Sequence, residues 1–175
     1  MSQPGYKYLK SFQMTVVIYD LTQIFVDRWI NKHSRTYDQM EQSARSGKQN
    51  IAEGYLEKSL KSYIYLLGVA YASLGELRED YEDFLRQRSL KQWTDTDSRI
   101  REFREFRVKL ITPNTLNTPN LPIDPEEAAN FMITLIHQAE YLLTRQIESL
   151  QQKFITEGGF TENLFKKRLE YRNKK

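Results

Sequence analysis

Cysteine is absent from the 175 residues, so no disulfide framework and no thiolate metal site can form. A reducing compartment suits such a chain, and the cytoplasm is the expected location. Glycine and proline are scarce, at 7 and 5, and four of the prolines fall between Pro113 and Pro125. Few breakers elsewhere favour long helices. Histidine is limited to His33 and His137, and neither has a second His or a Cys at ligand spacing. His137 therefore reads as a tolerated position in a helix rather than a metal ligand. No Glu-x-x-His pair, Gly-rich phosphate loop or nucleophile elbow occurs. No catalytic residue, metal or cofactor is expected, and the chain reads as a non-enzyme. Long apolar runs are missing too. Val16–Ile30 is broken by Asp20, Gln23, Asp27 and Arg28, which leaves it too short and too polar to span a bilayer. The opening stretch, MSQPGYKYLKSF, lacks the apolar core of a signal peptide.

What is present is a globular composition, 39% hydrophobic and 28% charged, at a length that favours one domain with its own core. The net charge of +3 is modest and only weakly suggests an anionic partner. Its distribution is more informative. Residues 161–175 carry Lys166, Lys167, Arg168, Arg172, Lys174 and Lys175 against Glu162 and Glu170, so this tail alone is more basic than the chain as a whole.

The pattern centres on Tyr37–Phe84, read as two helices joined by a tight turn at Gly54–Lys58. In the second, about Leu60–Gln87, Tyr63, Leu67, Ala70, Leu74, Leu77, Tyr81 and Phe84 alternate steps of four and three, a spacing that holds one stripe against a partner helix. The first, about Thr36–Glu53, offers Tyr37, Met40, Ala44, Gly47, Ile51 and Ala52 inward, with small residues for close approach. Gly54 is expected as its left-handed C-terminal cap and Ser59 as the N-cap of the next helix. An earlier helix, about Lys7–Asn31, is apolar over most of its circumference. A helix of a monomeric bundle needs one apolar face. Its second face is therefore expected to meet another subunit, with Val17, Phe25 and Trp29 as candidate oligomer-interface residues.

Residues 88–124 break the pattern. Ser98–Leu110 can form a short charged helix, and Thr112–Pro125 is too rich in Pro and Asn for helix. A connection this long suits a crossover from one end of a bundle to the other. The last bundle helix starts with Asp124 as N-cap, Pro125 in the first turn, and Glu126 and Glu127 near the positive end of the dipole. It presents Ala129, Met132, Ile136, Ala139, Leu143, Ile147, Leu150 and Phe154, and ends near Glu157. Beyond Gly158-Gly159 a short helix with Thr161 as N-cap is expected, apolar on one side and basic on the other. Glu53 and Glu76 lie near the seam, and pairing with Arg45 or Lys48 is the expected reason. Arg45, Lys48, Lys58, Lys61, Lys166, Lys167, Arg168 and Arg172 are the candidate contacts to nucleic-acid phosphates.

Asp38–Glu79 resembles the signature of the four-helix bundle family encoded in bacterial 23S rRNA intervening sequences, above all in Asn50-Ile51-Ala52-Glu53-Gly54-Tyr55 and Ser73-Leu74-Gly75-Glu76-Leu77. Thr156–Arg172 resembles the C-terminal extension called the four-helix bundle suffix. A more distant likeness is to the accessory variability determinants of diversity-generating retroelements. The resemblance implies ring-like pentamers and, through the distant branch, a basic surface for RNA or DNA and a reverse transcriptase partner. The expected fold is all-α: an antiparallel four-helix bundle over residues 1–157, with a long connection before the last bundle helix, and a basic suffix helix over 158–175. Two functions fit. One is an oligomeric accessory module that binds nucleic acid or a ribonucleoprotein. The other is a purely structural, protein-interaction bundle.

Overall fold

The computed structural model describes residues 4–112 and 115–174; Pro113 of the proline cluster and Lys175 of the basic tail lie outside the described residues. A 3-10 turn, Gly5–Tyr8, leads into α1, Lys10–Trp29. Helix α2, Arg35–Leu56, starts where the Ser34 hydroxyl accepts the Tyr37 N–H at 3.2 Å. Helix α3, Leu60–Gln87, is capped by Ser59, as its sequence suggests. A short helix α4, Ser98–Phe103, and a two-stranded ribbon, β1 Leu110–Thr112 with β2 Thr115–Leu116, interrupt the connection. Helix α5, Pro125–Glu157, is capped by the Asp124 carboxylate, which accepts the Glu127 N–H at 2.9 Å. Helix α6, Phe160–Asn173, follows.

The fold is all-α, an up-down-up-down bundle of α1, α2, α3 and α5 in which α1 and α3 each lie between α2 and α5. The ends can be followed through hydrogen bonds. At one end the Arg88 side chain donates to the Trp29 carbonyl and Tyr37 Oη donates to Asp27. At the other, Gln146 of α5 accepts from Ser11 of α1 and donates to Tyr63 of α3, each at 2.6 Å. The α3 seam is buried from Leu67 to Phe84, with Tyr63 half-buried at its edge. Phe25 sits where α1 meets α3, edge-on to Tyr81 and Phe84 and to its own helix neighbour Trp29, at ring-centroid distances of 4.7–4.8 Å.

Gly54 does not cap α2. The helix runs through it to Leu56, and Gly54 is buried under α3. A Cβ there would lie 2.8 Å from Tyr63 Cδ2 and 3.2 Å from Leu66 Cβ, so the glycine serves close helix approach rather than a left-handed turn. The turn itself shortens to Glu57–Ser59. Overpacking costs about 1–3 kcal/mol and the Gly-to-Ala gain in helix propensity about 1 kcal/mol. Gly54→Ala is therefore expected to lower the unfolding free energy by up to about 2 kcal/mol, read from the urea midpoint. A more stable variant would mean that α3 yields at this contact.

The connection is not a crossover between opposite ends. It leaves α3 and enters α5 at the same end, where Arg28 donates to the Pro122 carbonyl and the Lys91 N–H donates to Glu126. Between these points it descends and returns as a strap. Trp93 is pinned to the first turns of α5: its backbone N–H donates to Asn130 Oδ1 and its indole N–H to Glu126 Oε1, both at 2.8 Å. Phe103 packs edge-on to Phe131, Gln138 donates to the Arg104 carbonyl, and Lys10 Nζ reaches the Val108 carbonyl at 3.0 Å. Leu116 and Leu121 join the core on the way back.

The strap helps explain why α1 is apolar nearly all round. Phe12 packs against the core, and Gln13 is buried, donating to the Lys7 carbonyl. The chain's own strap lies beside this face, so its apolar character does not by itself call for a second subunit. Two other boundaries differ from expectation. The short charged helix stops at Phe103 instead of Leu110, where an extended segment begins. Gly159, not Thr161, is the N-cap of α6, and its N–H donates to Glu162 Oε2 at 3.0 Å. Gly158 is the residue with positive φ (77°) between α5 and α6, where a side chain would be strained.

Candidate nucleic-acid interface

Helix α5 is long enough to leave the bundle. Ile147 and Leu150 still pack against the core, but residues 151–157 are all exposed, a projection of roughly 10 Å at 1.5 Å per residue. Helix α6 continues from this projection without burying a single described residue. It displays two kinds of surface together. Phe160, Leu164, Phe165 and Leu169 are all at least 39% exposed. Lys166, Lys167, Arg168 and Arg172 are exposed as well, and none has an acidic partner among the described residues. The charged side chains on α5 differ in this respect: Arg145 pairs with Glu148 at 3.1 Å and Lys153 with Glu157 at 3.9 Å. Cations that lack a carboxylate partner are the ones that gain most from a polyanion.

The other sequence-derived candidates divide by position. Lys58, in the α2–α3 turn, and Lys61, in the first turn of α3, are exposed at the end from which the arm emerges. Arg45 is exposed part-way along α2. Lys48 is half-buried, with its ammonium 4.0 Å from the centroid of the Tyr19 ring, a cation–π contact that braces α2 on α1. The structure thus gathers Lys58, Lys61 and the arm at one end and leaves Arg45 and Lys48 along the side. The interface candidates fare differently. Val17 and Phe25 are fully buried in the subunit's own core and offer no surface to a second copy; Trp29 is half-buried against Phe25.

The paired carboxylate near the seam is neither Glu53 nor Glu76, which are exposed and make no ion pair with Arg45 or Lys48 among the described residues. It is Glu140 of α5, buried, which receives the Arg78 guanidinium at 2.9 Å and lies 3.3 Å from His137 Nδ1. Arg78 also reaches Glu82 at 3.8 Å. A second cationic cluster went unrecognised in the sequence: Lys10, Arg104, Arg107 and Lys109 converge at one groove. The signal was the spacing of cations through Arg101–Lys109. No group of three or more His, Cys, Asp or Glu could hold a metal ion among the described residues, and no described helix is long and apolar enough to cross a membrane.

The acidic counterpart of the arm lies on α3, where Glu76, Asp80 and Asp83 share one face. Partial burial, with Asp83 and Glu76 nearby, pushes the Asp80 carboxyl up to about 6. The folded state then holds this proton at pH values where the unfolded chain, with a carboxyl near 3.8, has released it. That contribution to stability is complete below about pH 4 and is lost as pH rises through about 6. Asp80→Asn is expected to raise stability at pH 7 by up to about 1 kcal/mol once solvent screening is allowed for, and to flatten the decline between pH 4 and 7. Thermal melts across that range measure both effects.

These features define a four-helix bundle protein whose most distinctive surface is an exposed terminal arm on which basic and apolar side chains are interspersed rather than separated onto two faces. The chain belongs to the 23S rRNA-intervening sequence protein family, whose family model matches residues 7–111. That span holds α1–α3, α4 and the descending limb of the strap; α5 and α6 lie outside it. No curated protein and no solved structure matches the chain.

Proposed function

We propose that the protein is a non-enzymatic, self-associating accessory module that binds RNA or DNA through the arm and the bundle end beneath it. The observation that carries this reading is the state of α6: Lys166, Lys167, Arg168 and Arg172 are exposed and have no acidic partner among the described residues. Lys58 and Lys61 extend the same basic surface onto the bundle. Phosphates would be held by charge, and no base-reading pocket is needed for affinity of this kind. A ribonucleoprotein or a reverse transcriptase is a partner consistent with this chemistry. Fluorescence anisotropy with labelled single-stranded RNA and duplex DNA tests the reading. Binding of either at about 50 mM salt supports it, and undetectable binding of both there defeats it.

A specific observation favours a second reading. Phe160, Leu164, Phe165 and Leu169 are exposed on the same arm, which suits docking on a protein. On that reading the chain is a structural subunit, and polyanion binding is absent while a defined oligomer persists in light scattering. A strictly monomeric mass at micromolar concentration removes self-association from both readings.

A further inference from the structure

On the face of the bundle opposite to α2, a groove of about 620 Å³ opens between α1, α5 and the strap segment Arg104–Lys109. Its size falls in the range of about 300–1,000 Å³ usual for small-molecule sites. The floor is apolar, made by Met14, Phe106, Val108 and Leu142. The rim is cationic, made by Lys10, Arg104, Arg107 and Lys109, and no Asp or Glu lines the groove among the described residues.

The state of these cations is what gives the groove a chemistry. Lys10 Nζ is oriented by neutral oxygens, the Val108 carbonyl at 3.0 Å and Gln13 Oε1 at 3.1 Å, so its charge is not neutralised. Arg107 is likewise tied to backbone carbonyls, those of Arg104 and Phe106. The Lys109 side chain has no hydrogen-bond or ion-pair partner among the described residues, while its backbone N–H is held by Asn117. Arg104 alone of the four is paired, with Asp95 at 2.5 Å. Three uncompensated positive charges therefore stand over an apolar floor.

We infer that this groove is a binding site for an amphipathic anion, specifically a medium-chain acyl carboxylate. The acyl chain lies along Met14, Val108 and Leu142, and the carboxylate meets Lys10, Arg107 and Lys109. Helix α6 of a second copy is a poor occupant, because its own Lys166, Lys167 and Arg168 would face these cations. The inference does not depend on the arm or on nucleic-acid binding.

Isothermal titration of the full chain with decanoate, decanol and adenosine monophosphate tests it. Decanoate should bind saturably, one per chain, with Kd below about 1 mM, and decanol should bind about tenfold more weakly or worse. Lys109→Glu should weaken decanoate by about fivefold or more without moving the melting temperature, with Lys109→Gln giving a smaller loss in the same direction. Arg35→Glu, at the exposed start of α2 and outside the groove lining, should leave decanoate affinity unchanged. Four results would overturn the inference: no saturable decanoate binding, equal affinity for decanol, adenosine monophosphate bound as tightly as decanoate, or decanoate affinity unchanged in both Lys109 variants.

Discussion

Phe25→Ala is expected to lower the unfolding free energy by about 3–5 kcal/mol, the range for truncating a fully buried aromatic. Phe25 is wholly buried, and its ring meets Trp29, Tyr81 and Phe84 edge-on within 5 Å. Each such pair adds about 0.5–1.5 kcal/mol beyond area burial, and the surrounding rings have no backbone freedom with which to fill the space. A domain of this size has about 5–15 kcal/mol in total, so the variant loses a large fraction of its stability. The measurement is the urea midpoint at two protein concentrations. A core role gives the same large shift at both. A residue serving a subunit interface instead gives a shift that depends on concentration, because association then contributes to stability. Ile24, which is 39% exposed on the same helix, provides the contrast, with an expected effect below about 1 kcal/mol on truncation to Ala.

The triple variant Lys166→Gln, Lys167→Gln and Arg168→Gln is expected to weaken nucleic-acid binding at least tenfold at about 50 mM salt. It should also reduce the steepness of the salt dependence by about 2–3 log units per log unit of salt, close to one for each phosphate contact removed. Stability should not follow, because no described residue of α6 is buried and the three side chains make no ion pair among the described residues. The loss should be nearly uniform across sequences, as phosphate contacts carry no base information. If affinity and melting temperature fell together, the arm would be part of the fold rather than a surface for a partner.

The bundle was legible because its information is local. The four-and-three spacing of Leu67, Ala70, Leu74, Leu77, Tyr81 and Phe84 needs no long-range knowledge, and all six are buried. The caps at Ser59 and Asp124 are equally local, since side chain and N–H lie three residues apart. Gly54 was misread because a glycine near a helix end suits two structures, a left-handed cap or a close approach, and only the position of Tyr63 and Leu66 decides. The path of the strap could not be read from its Pro- and Asn-rich stretch, which has no periodicity to give direction. From that followed the misassignment of Val17 and Phe25, whose helix looked too apolar for one subunit. The Arg78–Glu140 pair joins residues 62 apart in sequence, and the cations of the groove come from α1 and the strap, with Lys10 and Val108 98 positions apart. The pairing of Arg78 with Glu140 leaves no local pattern, and the cation spacing through Arg101–Lys109 does not show that Lys10 joins it. The arm was legible as charge, but its lack of buried residues required the fold.

The most direct measurement is the affinity of the full chain for one labelled single-stranded RNA as salt rises from about 50 to 200 mM. Four phosphate contacts from Lys166, Lys167, Arg168 and Arg172 correspond to a fall on the order of fiftyfold, with log K linear in log salt. An affinity that changes by less than about twofold across that range would contradict phosphate recognition by the arm.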